Sequence, residues 1–363
     1  MRKKVLFLLP CISKGPAGGY KVVYQYADYL AQEGYDVHIA YPYILNLDGK
    51  SLLFRIKAFL KFTIKKVIKT IPKENWYCFK QNVCKDYVFS FNNCSLTNSY
   101  KDSVVFATAV ETAYALNKMS FTDNKNKFYL IQDFENWYNN TDEYVYNSYT
   151  FPFTKIVIAS WLKKKVEQTG NNAVLIPNGL DFNYFKLSVP IERRVPTEVA
   201  MLYHLDDRKR CCDSMAALEI VKKQIPGLHV TMFGIPEKPE TLPEWYTYYQ
   251  MPDKETHNRI YNNAAIFVAA SMKEGWALPP AEAMMCGAAL VCTDIDGFKD
   301  YAFHNETAML SKVYDVEALA KNILCLINDN ELRIRIAVNG CKNIQKYTWQ
   351  KSFEALKRLM ENL

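Results

Sequence analysis

None of the ten cysteines in this chain forms a C-x-x-C pair, and only Cys211 and Cys212 are adjacent. Thiols scattered in this way suggest neither a zinc cage nor a disulfide framework, and they fit a reduced cytoplasm. No apolar stretch reaches the roughly 18 uninterrupted residues of a membrane span. The opening Met1–Pro10 (MRKKVLFLLP) has an apolar run too short for a signal peptide and no small-residue cleavage site, so it reads as a strand. No close repeat and no low-complexity tract is present. No basic region with interleaved stacking aromatics is found either, which argues against nucleic acid as a partner.

One absence is local. Ser51 to Lys73 contains no acidic residue but carries Arg55, Lys57, Lys61, Lys65, Lys66, Lys69 and Lys73, so this segment alone accounts for the formal net charge of +7. Leu53, Ile56, Leu60, Ile64, Val67 and Ile71 recur at the spacing of one helical face. A basic amphipathic helix over 51–73 reads first as an element that lies on an anionic membrane surface, which would place the protein on the inner face of the cell membrane. The other reading is a core helix whose lysines face water.

The remainder is ordinary for a globular protein, with 49% hydrophobic and 23% charged residues. At 363 residues two domains are expected. Val5–Leu9, a loop to Gly19, a helix over Tyr20–Glu33 and a strand at Val37–Ala40 open a doubly wound sheet. Further strands are expected at Asp86–Phe91, Val104–Ala107, Lys127–Ile131, Lys155–Ala159 and Val174–Ile176. The turn cluster Pro177–Asp181 (PNGLD) and the polar stretch Lys186–Pro196 mark a boundary. The alternation restarts with Val199–Tyr203, a helix near Asp213–Gln224, and Leu228–Phe233. It continues with a helix over Lys254–Asn263, a strand at Ala264–Ser271, Leu290–Thr293 and a helix over Val316–Asn328. A final amphipathic helix, Trp349–Leu363, closes the chain. The predicted architecture is α/β, two Rossmann-like halves facing one another across a cleft. One domain covers 1–178 and the other 179–345, with 346–363 crossing back to the first.

The most informative stretch is Lys273–Ala283 (KEGWALPPAEA), where Glu274 and Glu282 stand eight residues apart around an apolar, proline-containing turn. Glu274 follows the carboxyl end of a strand, where open α/β sheets bind ligands, and the helix behind it offers free N–H groups to an anion. Two acceptors at that separation suit two hydroxyls of one elongated polar ligand. The plainer alternative is a turn-capping glutamate followed by a solvated one. Gly18 and Gly19, in the first strand-to-helix loop, permit backbone to approach a phosphate or an acceptor, or serve as a plain turn.

Taken together, the Glu274–Glu282 turn, GAALVCTDIDG (Gly287–Gly297), IPNGLD (Ile176–Asp181) and GPAGG (Gly15–Gly19) resemble the GT-B glycosyltransferases of family 4. The likeness covers nearly the whole chain. YLIQDFE (Tyr129–Glu135), FATAVETAY (Phe106–Tyr114) and the basic insertion are similar to bacterial surface-glycan rhamnosyltransferases. The resemblance implies that Glu274 lies by the donor sugar's hydroxyls and Glu282 by the nucleotide's ribose. The backbone of Gly275, Trp276, Ala277 and Leu278 would approach the sugar and phosphates. Lys209, in LDDRKR (Leu205–Arg210), would neutralise the diphosphate beside Arg208. A fixed cation is needed there because the leaving nucleoside diphosphate gains negative charge. Gly234 and Met251 would line the base pocket.

Three departures stand out. His204 occupies the place of a family arginine, and Trp276-Ala277 that of Phe-Gly. No histidine appears in Ala107–Ala113, which leaves Thr108 and Glu111, then Asp133 and Glu135, as acceptor-side candidates. The activity implied is transfer of a hexosyl or deoxyhexosyl group from a nucleotide diphosphate sugar to a glycan or lipid-linked glycan, with retention and with neither metal nor other cofactor. The narrower likeness points to rhamnose carried on thymidine diphosphate. The rivals are a sugar-nucleotide epimerase or hydrolase on the same fold and a non-catalytic sugar-nucleotide-binding subunit of a membrane complex.

Overall fold

The computed structural model describes residues 3–13, 15–71, 76–91, 96, 99–137 and 140–361. The chain forms two compact units, Met1–Pro177 with Phe353–Leu363, and Asn178–Ser352.

The first unit is built on seven strands: β1 (Lys4–Leu8), β2 (Asp36–Pro42), β3 (Cys84–Val88), β4 (Val104–Ala107), β5 (Lys127–Ile131), β6 (Thr154–Val157) and β7 (Ala173–Leu175). They pair in the order β3-β2-β1-β4-β5-β6-β7, every pairing parallel. Parallel strands covered on both faces must be apolar throughout, and Val5, Leu6, Phe7 and Leu8 are fully buried. Phe7, Phe106 and Phe128, neighbours in register on β1, β4 and β5, stack in a row with centroids 4.8 Å apart at each step. The C-terminal segment groups with this unit because Phe353 stacks on Tyr29 at 4.2 Å and Lys357 pairs with Glu33 at 2.5 Å.

The second unit carries six strands: β8 (Glu198–Tyr203), β9 (His229–Gly234), β10 (Tyr246–Gln250), β11 (Ile266–Ala269), β12 (Ala289–Thr293) and β13 (Ala308–Ser311). Their order is β10-β9-β8-β11-β12-β13, again all parallel. Strand order reverses between β8 and β11, so the loops leaving those two neighbours diverge and open a crevice at their carboxyl ends. Arg194 braces this unit from inside. It is 4% exposed and donates to the carbonyls of Tyr261 (3.3 Å), Ala264 (2.8 Å), Val189 (3.1 Å) and Cys286. With no carboxylate among those partners, burial pulls its pKa down to about 10.

In the second unit β10, β13 and the helix Asn330–Ile344 were not foreseen from sequence. The basic segment is a helix over Leu52–Val67, shorter than 51–73, and Lys73 lies outside the described residues. Ser51 caps it, accepting from the Phe54 N–H at 3.3 Å. Only Phe62 is buried, packed on Tyr43 and Phe89. The stripe Leu53, Ile56, Leu60, Ile64 and Val67 is 62, 49, 56, 58 and 74% exposed. That exposure removes the core-helix reading. Among the described residues no helix is long and apolar enough to cross a membrane.

Candidate functional site

The switch point of the second unit brings two loops together. The loop after β8 closes in a short turn of 3-10 helix, Asp207–Lys209, ahead of the helix Cys211–Gln224. The loop after β11 runs from Ala270 to Ala277 and enters the helix Leu278–Met285. A backbone bond from the Met272 N–H to the Arg208 carbonyl, 2.8 Å, ties the loops.

Across this tie Lys209 Nζ donates to both carboxylate oxygens of Glu274, at 2.8 and 2.7 Å. The pair is mostly withdrawn from solvent, with side chains 23% and 10% exposed. Ser271 Oγ donates to Glu274 Oε1 at 2.8 Å, and Thr293, at the end of β12, donates to the Ser271 carbonyl. The row Thr293, Ser271, Glu274, Lys209 therefore fixes an ammonium at the carboxyl ends of β8 and β11. Such a group has three protons and no acceptor role, so two bonds to Glu274 leave one for an incoming oxyanion. A cavity of about 20 Å³, room for about one water, is lined by Lys209, Glu274, Ser271, Cys211, Pro279 and Pro280 among others.

The neighbouring cations are committed elsewhere. Arg208 forks onto Asp206 (2.6 Å from Nη2, 3.1 Å from Nε), holding that carboxyl at about 2. Arg210 forks onto Asp213 at 2.8 and 2.7 Å. His204 Nδ1 accepts the Asp206 N–H at 2.9 Å. Burial, and after it the charge of Lys209, pushes the His204 pKa below 6.5. At neutral pH it is an uncharged imidazole and does not replace the family arginine's charge.

Several sequence candidates sit differently from their expected setting. Glu282 is 6% exposed and accepts from the buried Tyr261 hydroxyl at 3.2 Å; it is not among the residues lining the Lys209–Glu274 cavity. Trp276 is buried edge-on to Tyr301 (5.0 Å) and Tyr347 (5.3 Å), so the bulk of its ring is absorbed by the core. The Ala277 carbonyl accepts from the Tyr301 hydroxyl at 2.8 Å. Helix Leu278–Met285 has no side-chain cap, but Pro279 and Pro280 in its first turn have no N–H to give. Gly234 closes β9, where a Cβ would lie 2.1 Å from the Tyr203 carbonyl oxygen. The Gly234 carbonyl accepts from Met251, which is exposed and left-handed at φ 44°.

In the first unit the helix Gly18–Gln32 starts at Gly18 with no side-chain cap, and a Cβ on Gly19 would press on the Gln132 side chain at 3.3 Å. The acceptor-side candidates are already in use. Thr108 Oγ1 donates to the Leu8 carbonyl at 2.7 Å, tying β4 to β1. Glu135 Oε2 receives the Val110 N–H at 2.5 Å, the first turn of helix Val110–Asn117. Asn140 joins Glu111 (2.8 Å) to the Glu135 carbonyl (3.1 Å), and Asp133 accepts the Phe134 N–H at 2.8 Å. Glu111 and Glu135 are thus gathered at one helix end, while Thr108 is a buried brace.

Sequence reasoning passed over Ser271, Thr293 and Gly297. A Cβ on Gly297 would lie 2.4 Å from the Glu274 carbonyl oxygen, so the loop after β12 packs against the backbone of the acidic turn.

With this arrangement in view, known proteins can be compared. Residues 193–343 match the family model of glycosyl transferases, group 1. That match lies within the second unit. A phosphatidyl-myo-inositol mannosyltransferase of Mycolicibacterium smegmatis is 24% identical over 55% of this chain and 54% of its own length. The capsular polysaccharide biosynthesis glycosyltransferase CapM of Staphylococcus aureus is 32% identical over 28% of this chain and 27% of its own. The chain therefore spans about half the length, or less, of these curated relatives. Among solved structures, Anabaena HepE in complex with UDP-glucose superposes with a TM-score of 0.73, covering 100% of both chains at 15% identity. The two parallel-sheet Rossmann-like units are those of the GT-B fold.

Proposed function

We propose that the chain is a retaining, metal-independent glycosyltransferase of the family 4 type. It moves a hexosyl or deoxyhexosyl group from a nucleoside diphosphate sugar to a hydroxyl of a glycan or lipid-linked glycan in surface polysaccharide synthesis. The observation that carries this reading is the Lys209–Glu274 pair at the switch point of a group 1 unit. As the glycosidic bond breaks, negative charge collects on the departing diphosphate. A cation preorganised in a partly dry site stabilises that charge more in the transition state than in the ground state. Lys209 with one uncommitted proton meets the requirement. Glu274 holds it in place and can exchange one of its bonds for a sugar hydroxyl. In a front-face reaction the leaving phosphate oxygen takes the acceptor's proton, so no protein nucleophile is needed. The HepE structure holds UDP-glucose, a nucleoside diphosphate sugar, and rhamnose is our first choice of sugar on the sequence likeness.

Nucleoside diphosphate release from enzyme, donor and acceptor is expected to proceed at an unchanged rate with EDTA present. A need for added Mg²⁺ would sink the metal-independent reading. Donor that is epimerised or hydrolysed without glycan growth would favour the rival chemistry.

The helix Leu52–Val67 attaches the protein to an anionic membrane. Burying an exposed Leu or Ile is worth about 1.5–3 kcal/mol, against about 1 kcal/mol per lysine near an anionic surface. The apolar stripe then contributes the larger share, and salt is expected to weaken attachment without abolishing it. In flotation with vesicles of phosphatidylglycerol and phosphatidylcholine, the triple variant Leu53→Gln/Leu60→Gln/Ile64→Gln is expected to stay in the soluble fraction. These side chains are exposed, so the fold should survive, and recovery equal to the parent's would refute the attachment.

A further inference from the structure

Resting on that membrane reading, we propose that a lysine-lined cavity at the end of the basic helix binds the phosphate of an anionic phospholipid headgroup. The cavity measures about 410 Å³ and is lined by Lys66, Lys69, Ile71, Lys85, Asp86 and Tyr100 among others. It opens beside β3, the edge strand of the first sheet. Lys4, which begins β1, lies over the Tyr100 ring at 5.3 Å, and the lining runs along β3 from Lys85 to Val88, so the cavity follows the outer edge of the sheet. Ligand crevices of doubly wound sheets lie where the strand order reverses, here between β1 and β4, away from this edge strand. A donor or acceptor sugar is therefore not its occupant.

Its charge selects an anion. Among the described lining residues stand three lysines and one aspartate, and Asp86 is already engaged by His38 Nδ1 at 2.7 Å and the Tyr100 hydroxyl at 2.6 Å. Among the described residues neither Lys66 nor Lys69 has a carboxylate partner. Lys66 reaches the Tyr87 carbonyl only at 3.4 Å. The helix ends with Thr70 N–H bonded to the Lys65 carbonyl at 2.9 Å and with Lys69 in the left-handed region, φ 56°. That is the place glycine usually takes at a helix end. A lysine there aims an ammonium at the cavity where a glycine would only ease the backbone.

The surroundings select a lipid over free phosphate. Ile64, Val67 and Ile68, on the last turn beside Lys66 and Lys69, are 58, 74 and 59% exposed, and Ile71 lines the cavity itself. Phosphate chemistry and apolar surface lie side by side, the pairing a phospholipid presents.

Calorimetry on the full chain tests the assignment, with dihexanoyl-phosphatidylglycerol kept below its micelle concentration. Saturable binding is expected. It should weaken at least tenfold in Lys66→Gln/Lys69→Gln/Lys85→Gln and less than threefold in Lys57→Gln/Lys61→Gln/Lys65→Gln, which removes equal charge from the same region. Circular dichroism checks that both variants fold. No saturable binding by the parent, equal loss in both variants, or inorganic phosphate binding as tightly as the lipid would each overturn the proposal. Parent protein that fails to float with vesicles yet binds the short lipid would count against the membrane reading alone and would support the headgroup site.

Discussion

Alanine at position 274 is expected to lower turnover by about 10²- to 10³-fold, the usual cost of removing one preorganised charge-stabilising group, while both units stay folded. Glu274 holds two of the three protons of Lys209 and is itself held by Ser271. Without it the ammonium loses its orientation and can turn to the solvent it already partly meets at 23% exposure. Because the pair is mostly withdrawn from solvent, leaving Lys209 without its partner should also cost about 1–3 kcal/mol of stability. Lys209→Ala should be as damaging, because the departing diphosphate would meet no cation of its own; Arg208 is already spent on Asp206. If the two side chains act as one device, the double variant should be little worse than the poorer single one. The measurement is nucleoside diphosphate release at saturating donor, beside a thermal melt. A rate within threefold of the parent for Glu274→Ala, with an unchanged melt, would remove the pair from the chemistry. Full additivity of the two losses would instead separate their roles.

Much of the frame was legible because buried parallel strands and amphipathic helices write themselves as apolar runs and 3.6-residue periods. Val104–Ala107, Lys127–Ile131, Lys254–Asn263 and Val316–Asn328 fall at their expected bounds. Two of the missed elements, the helix Asn330–Ile344 and β10, carry a mixed sequence signal. Asn330–Ile344 reads L-R-I-R-I-A-V in its middle, an alternation of period 2 that imitates a strand, and Arg333 on it is fully buried where a charge suggests a solvated face. β10, Y-T-Y-Y-Q, is a half-buried edge strand without a continuous apolar run. The helix Leu52–Val67 shows a different limit. Its period was plain, but period alone cannot say whether an apolar face meets protein or solvent, and only packing answered that.

The site was legible as two halves and not as a contact. Glu274 and Lys209 were each picked out, but they lie 65 residues apart in sequence and nothing local says that they touch. Topology says it: β8 and β11 are neighbours where the strand order reverses. Glu282 shows the converse. Its spacing from Glu274 suggested a shared crevice, and nothing local in the sequence said that it would be buried and accept from the Tyr261 hydroxyl. Ser271 looked like the last letter of a strand, although its hydroxyl is what orients Glu274.

The Gly297→Ala exchange turns this dependence on backbone placement into the second large expected effect. A Cβ there would stand 2.4 Å from the Glu274 carbonyl oxygen, 2.5 Å from its Cβ and 2.8 Å from its carbonyl carbon. These are backbone-proximal atoms with no flexible side chain to swing aside, so the acidic turn or the loop after β12 must move. Overpacking of that kind costs about 1–3 kcal/mol. A displacement approaching 1 Å of a catalytic group costs about 10²-fold in rate. The expected outcome is therefore a melt lowered by several degrees together with turnover down about 100-fold, from a substitution that adds one methyl and removes no functional group. Gly227→Ala is the control, since a Cβ there meets nothing within 4 Å, and it should change neither quantity. Activity within threefold of the parent in Gly297→Ala would mean that the turn carrying Glu274 tolerates movement. Rigid presentation of the Lys209–Glu274 pair would then not be what this unit contributes to transfer.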